Sequence, residues 1–236
     1  MKASPGARSW IAAGVRHELL TRALPALRHD MSAPVSVMRM GLLMLKRQVA
    51  TATIDPAACQ ERVALIDSQI GELVSAVRSL RNWELSTSEE GITRAALVSQ
   101  CVALMRPAFD LQGIRIEVDE AIVPARDTPV PPVGEAETEA PTWPAGAALR
   151  YLLLGALGFL QDSVDRVSAI RITREGHDGL CLAVVAHGTE GADAMAAHRA
   201  PRKLAIDAVA MQSLADDLGY TLDLDRDTVR FKLAAG

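Results

Sequence analysis

The chain has 236 residues, 49% of them apolar, and a formal net charge of -4. That length and apolar content suit one or two globular domains with a genuine core and exclude wholesale disorder. A mildly acidic chain sets up no global basic field, so nucleic acid is not an expected partner. The longest apolar run, "YLLLGALGFL" at 151–160, is half of the roughly 20 residues that a membrane span needs. The first twenty residues lack a long apolar stretch followed by a small-residue cleavage site. A soluble, cytoplasmic protein without a membrane partner is therefore expected. Cys59, Cys101 and Cys181 are scattered without paired spacing, which suggests reduced thiols rather than a zinc site or a disulfide framework.

Residues 9–50 and 56–86 both read as long helices, joined by "TATIDP", in which Asp55 caps and Pro56 opens the second helix. Val35, Met38, Leu42, Leu45 and Val49 recur at spacings of three and four, as do Cys59, Val63, Ile66, Ile70, Leu73, Val77 and Leu80. These are heptad seams. Two helices alone leave much of such a seam wet, so a homodimer forming a four-helix bundle is expected. The alternative is a hairpin packed on the C-terminal half of its own chain.

From residue 92 the pattern changes. "TRAALVSQCVALMRPAFDLQG" reads as an amphipathic helix ending near Gly113, and "IRIEVD" alternates as a strand. Residues 121–144 are rich in proline and acid and read as a long loop. A helix at 145–163, strands at "AIRITRE" and "GLCLAVVA", a helix at 201–218 and the strands "TLDLD" and "TVRFKL" complete an α+β sandwich. The predicted domains are 1–88 and 89–236, with a hinge near "STSEEG" at 86–91.

At about 100° per residue, His29 falls roughly 160° from the seam of the first helix and faces water, whereas His17 falls only about 40° from it and is expected to pack. An exposed imidazole with a free lone pair is a competent phosphoryl acceptor, uncharged near neutral pH. Asp30 beside it is placed to hold a proton or orient the ring. Pro34 removes a backbone N–H and crowds the carbonyl of residue 30, which is expected to loosen the helix after the histidine. An exposed histidine on a helix is also ordinary surface, and the pair alone decides nothing.

Between residues 16 and 47, six basic residues (Arg16, Arg22, Arg28, Arg39, Lys46 and Arg47) stand against Glu18 and Asp30. Such asymmetry favours docking of an acidic surface, although a solvated helix face explains it equally well. Met31 and Met38 lie on the seam side, while Met40 points nearer His29 and offers adaptable contact surface. Arg28, Ser32, Ser36, Arg39 and Met40 are the expected partner-binding residues. His177, His187 and His198 have no ligand-like spacing, and no metal site is expected.

"RHDMSAPVSVMRMGLLML" resembles the H-box of two-component histidine kinases, in which the phosphorylated histidine is followed by an acidic residue and, five positions on, by proline; His29, Asp30 and Pro34 match. "LIDSQIGELVSAVRSLRNWE" resembles the second dimerisation helix of that family, and "LVSQCVALMRPAFDLQGIRIEVD" the first helix and strand of its ATP-binding domain. "ALRYLLLGALGFLQDS" takes the place of the N-box helix. The N-box asparagine has no counterpart here, since Asn82 is the sole asparagine of the chain. After "GLCLAVV" the adenine-reading aspartate is replaced by Ala186, and no Gly-x-Gly occurs to form a lid.

Phosphoryl transfer from ATP rests on positioning and on charge neutralisation by metal. The resemblance therefore implies a degenerate ATPase-like domain without nucleotide, as in dimeric histidine phosphotransferases of the ChpT type. These relay a phosphoryl group between receiver-domain aspartates, including the receivers of hybrid histidine kinases, with magnesium supplied by the receiver. Ala33 stands where such kinases usually carry threonine or asparagine for dephosphorylation, so catalysed water attack is not implied. The alternative is a non-catalytic pseudokinase that binds or sequesters a kinase or a response regulator.

Overall fold

The computed structural model describes residues 4–51, 53–81, 91–122, 141–188 and 204–235. Among them are five α-helices: α1 (Pro5–Val49), α2 (Pro56–Arg81), α3 (Arg94–Asp110), α4 (Gly146–Ser163) and α5 (Ala208–Leu218). Seven strands accompany them: β1 (Ile92–Thr93), β2 (Arg115–Val118), β3 (Thr142–Trp143), β4 (Val167–Glu175), β5 (Gly179–His187), β6 (Leu222–Leu224) and β7 (Thr228–Lys232). The fold mixes helix and sheet, as an α+β reading requires. Most of the expected hinge at 86–91 and most of the loop at 121–144, with Asn82 and His198, lie outside the described residues.

The chain forms two compact units, Ala23–Leu85 and a second that joins the residues up to Arg22 to those from Ser86 onward. The division expected at residue 88 thus misses the first half of α1. Ala12, Val15 and Leu19 recur at spacings of three and four and are buried, so this stretch carries an apolar stripe of its own. Burying Val15 and Leu19 contributes about 1.5–3 kcal/mol each. His17 points away from that stripe and is exposed, which corrects its expected packing role.

In the larger unit the strands order as β2-β4-β5-β7-β6, with β2 parallel to β4 and every other pair antiparallel. Ile170 and Ile172 of β4, Leu180 and Leu182 of β5, and Val229 of β7 are fully buried. The helix packed on these three strands is α4, and α3, with Leu97, Cys101, Met105 and Phe109 buried, packs beside α4 and β2. Thr93 caps α3, its side chain accepting from the Ala96 N–H at 3.2 Å. The small β1–β3 pair, Ile92 opposite Trp143 and Thr93 opposite Thr142, was not readable from the sequence because two-residue strands carry no periodicity.

The helix expected at 201–218 begins at Ala208. Asp207 takes the N-cap position and accepts from the Ala210 N–H at 2.8 Å, while Gly219 closes the helix at φ 78°.

In the smaller unit, α1 turns back through residues 50–55 into α2. A Cβ added to Gly41 would lie 3.2 Å from Cγ1 of Ile66, so the helices run antiparallel and touch there. The buried residues of this unit among those described are Ala23, Leu27, Pro34 and Gly41.

Candidate functional site

His29 projects from α1 with 80% of its side chain exposed, and Asp30 with 47%. The His29 Nδ1 lies 3.4 Å from Asp30 Oδ1, a long contact that favours the tautomer with its proton on Nδ1. Nε2 is then left with its lone pair toward solvent. Arg28, Arg39, Lys46 and Arg47 are also exposed. Arg16 and Arg22 are not part of this surface: Arg16 pairs with Asp217 at 2.7 Å and Arg22 with Asp162 at 2.6 Å. That corrects the count of basic residues open to a partner from six to four.

α1 is helical through both Pro25 and Pro34, so the loosened turn expected after His29 is not seen. Pro34 is buried and its ring faces α2. Its missing N–H leaves the Asp30 carbonyl without the usual i+4 donor, but neighbouring hydroxyls support the turn. Ser32 Oγ donates to the Arg28 carbonyl at 2.7 Å and Ser36 Oγ to the Ser32 carbonyl at 3.0 Å. Each serine has a single hydroxyl proton and spends it on its own helix. Ser32 and Ser36 can therefore offer a partner only oxygen lone pairs.

A hollow of about 410 Å³ opens beside the histidine. α1 contributes His29, Asp30 and Pro34 to it; α2 contributes Gln69, Glu72 and Ser75. The α2 residues were missed in the sequence. The signal that could have found them is Gln69, a polar residue at the three-and-four spacing of Arg62, Ile66, Leu73 and Ala76 that faces α1. A second hollow, about 530 Å³, gathers Ser36, Arg39, Met40 and Lys46 with Leu42 and Leu43. Of the expected partner-binding residues, Ser36, Arg39 and Met40 come together there; Arg28 and Ser32 line neither hollow.

The expected seam divides in two. Met38 and Leu45 of α1, and Cys59, Ile66 and Leu73 of α2, are half-buried in the hairpin. Val35, Leu42 and Val49, and Val63, Ile70 and Val77, each spaced by seven, remain 40–54% exposed. At 100° per residue both triplets lie about 70° to the same side of the antiparallel contact, so they share one flank of the hairpin.

In the larger unit Ala186 sits on β5 opposite Ala169 and presents no carboxylate. Among the described residues no group of three or more His, Cys, Asp or Glu is arranged to hold a metal ion, and no helix is long and apolar enough to cross a membrane. His177 and His187 are exposed. Cys101 is fully buried, and desolvation pushes its thiol far above the ordinary range.

No protein-family model matches the chain, and no curated protein does. Among solved structures, the chain is similar to the Acinetobacter baumannii histidine kinase AdeS at 11% identity, over 87% of this chain and 98% of that one, with a TM-score of 0.34. The two folds agree only loosely at that score, and the functional reading rests on this chain's own residues.

Proposed function

We propose that the protein is a histidine phosphotransferase of a two-component phosphorelay, acting as a homodimer through His29 and without ATP. The observation that carries the reading is an imidazole with 80% of its side chain exposed, a carboxylate 3.4 Å from its Nδ1, and a hollow at its flank to which α2 brings Gln69, Glu72 and Ser75. In the reaction the Nε2 lone pair attacks the phosphorus of a receiver's aspartyl phosphate. The N–P bond forms, the acyl P–O bond breaks and the receiver's aspartate leaves as carboxylate, while the Nδ1 proton stays shared with Asp30. A second receiver's carboxylate reverses these steps. Magnesium in the receiver's acidic pocket neutralises charge on the moving phosphoryl group.

The dimer is supported by the exposed stripe of Val35, Leu42, Val49, Val63, Ile70 and Val77, which a second hairpin would cover as a four-helix bundle. The exposed cations Arg28, Arg39, Lys46 and Arg47 suit an acidic receiver surface. The absence of ATP is supported by Ala186 in place of a carboxylate and by an α4 with no polar side chain among Leu152–Leu160.

The test is transfer of label from radiolabelled, phosphorylated receiver domains to the purified protein and to His29→Ala, with a parallel lane of ATP alone. Label on the wild type and none on the variant is the expected result. Binding of receivers without transfer in either protein would leave a pseudokinase that sequesters its partner, and label from ATP alone would overturn the nucleotide-free reading.

A further inference from the structure

α4 is buried on every side: all residues from Tyr151 to Gln161, three turns of helix, are shielded from solvent. A helix lying on a sheet ordinarily keeps one polar face in water, so something else covers this one. Within the larger unit the cover is the first half of α1. A Cβ on Gly158 of α4 would lie 3.2 Å from Cδ2 of Leu19 and 2.7 Å from Cδ1 of Ile206; glycine is what lets these side chains approach so closely. The guanidinium of Arg16 stands 5.8 Å from the centre of the Tyr151 ring.

Charge fixes the register of this cover. Arg8 pairs with Asp216 at 2.9 Å, Arg16 with Asp217 at 2.7 Å, and Ser9 donates to Asp217 at 2.8 Å, all at the C-terminal end of α5. Arg22 does more. Its Nε donates to Glu18 at 3.0 Å and its Nη1 to Gln161 at 3.0 Å, while Nη2 reaches Asp162 at 2.6 Å and the Leu204 carbonyl at 3.0 Å. Asp162 in turn accepts the Ile206 N–H at 2.8 Å. One planar fork thus ties together α1, α4 and the stretch that leads into α5, with its own side chain only 7% exposed.

We infer that residues 5–22 of α1 are a built-in strap that occupies the outer face of α4 and α5, so that this face takes a segment of the chain itself in place of a small ligand, and that Arg22 is the positioning residue that closes it. Both the apolar and the charged halves of the contact are internal to the larger unit. The inference stands whether or not His29 carries a phosphoryl group.

Hydrogen exchange on the full-length protein tests it directly. In the wild type, amides of residues 12–22 should exchange as slowly as those of 150–161. Arg22→Ala should speed exchange in 12–22, 150–161 and 204–214 by on the order of 100-fold, because it removes the buried guanidinium contacts to Glu18, Gln161, Asp162 and the Leu204 carbonyl together. Arg22→Lys should restore little of the protection, since one ammonium cannot span the four acceptors, and Arg39→Ala should leave all three stretches as they are. The inference is overturned if residues 12–22 of the wild type exchange far faster than 150–161, a result that needs no variant to fold. It is equally overturned if a millimolar non-hydrolysable ATP analogue with magnesium slows exchange of 150–161 in the wild type, since the face would then be open to a small ligand.

Discussion

The two compact units treat their apolar residues in opposite ways. In the unit that joins the start of α1 to the sheet, the apolar stripes of α3 and α4 and the inner face of β4 and β5 are sealed by their own chain, down to 0% exposure at Leu19, Leu152, Leu157 and Ile170. In the hairpin Ala23–Leu85, heptad spacing is equally regular, yet Leu42, Val63 and Ile70 stay about half exposed. The same hydrophobic pattern thus yields a finished core in one region and an unfinished one in the other. Two helices supply only one mutual contact line, and each helix here carries two apolar stripes. The second stripe of the hairpin stays exposed, whereas the larger unit has recruited its missing layer from α1.

The sharpest way to break this contrast is to remove the recruited layer. Arg22→Ala takes the guanidinium away from Asp162, at 3% exposure, and from Glu18, at 5%. Breaking a buried pair by removing one partner costs about 3–5 kcal/mol, so thermal unfolding of the full chain should fall steeply, with loss of the larger unit first. An unchanged unfolding temperature would mean that the first half of α1 is dispensable to that unit. The next effect belongs to the hairpin. Leu42→Asp or Ile70→Asp should weaken self-association by about 10- to 100-fold, as expected from forfeiting 1.5–3 kcal/mol of apolar burial. Sedimentation over a concentration series reads this, and the unfolding of the larger unit should stay put; a wild type that is monomeric at every concentration would sink the dimer.

How much of this was legible in the sequence follows the same division. Periodicity located α1, α2, α3 and α4 to within a few residues, because each carries a long repeat, and the alternation of "IRIEV" and "TVRFK" located β2 and β7. It could not separate the two stripes of the hairpin. A wheel averaged over Val35–Val49 merges Met38 and Leu45, which face α2, with Val35 and Leu42, which do not. The role of Arg22 was hidden for a different reason. Besides Glu18 one turn away, its partners lie 139 or more positions on, at Gln161, Asp162 and Leu204, and no local spacing records such a contact. His29, Asp30 and Pro34 were legible because they are contiguous; Gln69, Glu72 and Ser75 reach the same hollow only by way of the turn between the helices.

If the hairpin is a docking surface for an acidic partner, the double change Arg39→Glu and Lys46→Glu should slow phosphotransfer from receivers by about tenfold at low salt and less at high salt, through the association rate. Arg39 and Lys46 share the second hollow with Leu42 of the apolar flank, so sedimentation of the same variant is the control: self-association that weakens in step with transfer would place the two cations in the dimer contact and not in docking. The smallest perturbation is a thiol probe, which alters nothing in the fold. Cys59 in the hairpin and Cys181 on β5 are partly exposed, while Cys101 on α3 is fully buried. Burial holds the Cys101 thiol protonated, and only the thiolate reacts. Labelling of the native protein should therefore stop at two equivalents, with the third taken up only when the larger unit unfolds. Combined with Arg22→Ala the measurement becomes a test of the strap: Cys101 lies beneath α4, its sulfur 3.7 Å from the Arg150 carbonyl. Loosening the cover over α4 should open that thiol to reagent while leaving the rate at Cys59 unchanged. If Cys101 stays closed when Arg22 is gone, sheet and α3 seal the core unaided, and the contrast between the two units lies in the sheet rather than in α1.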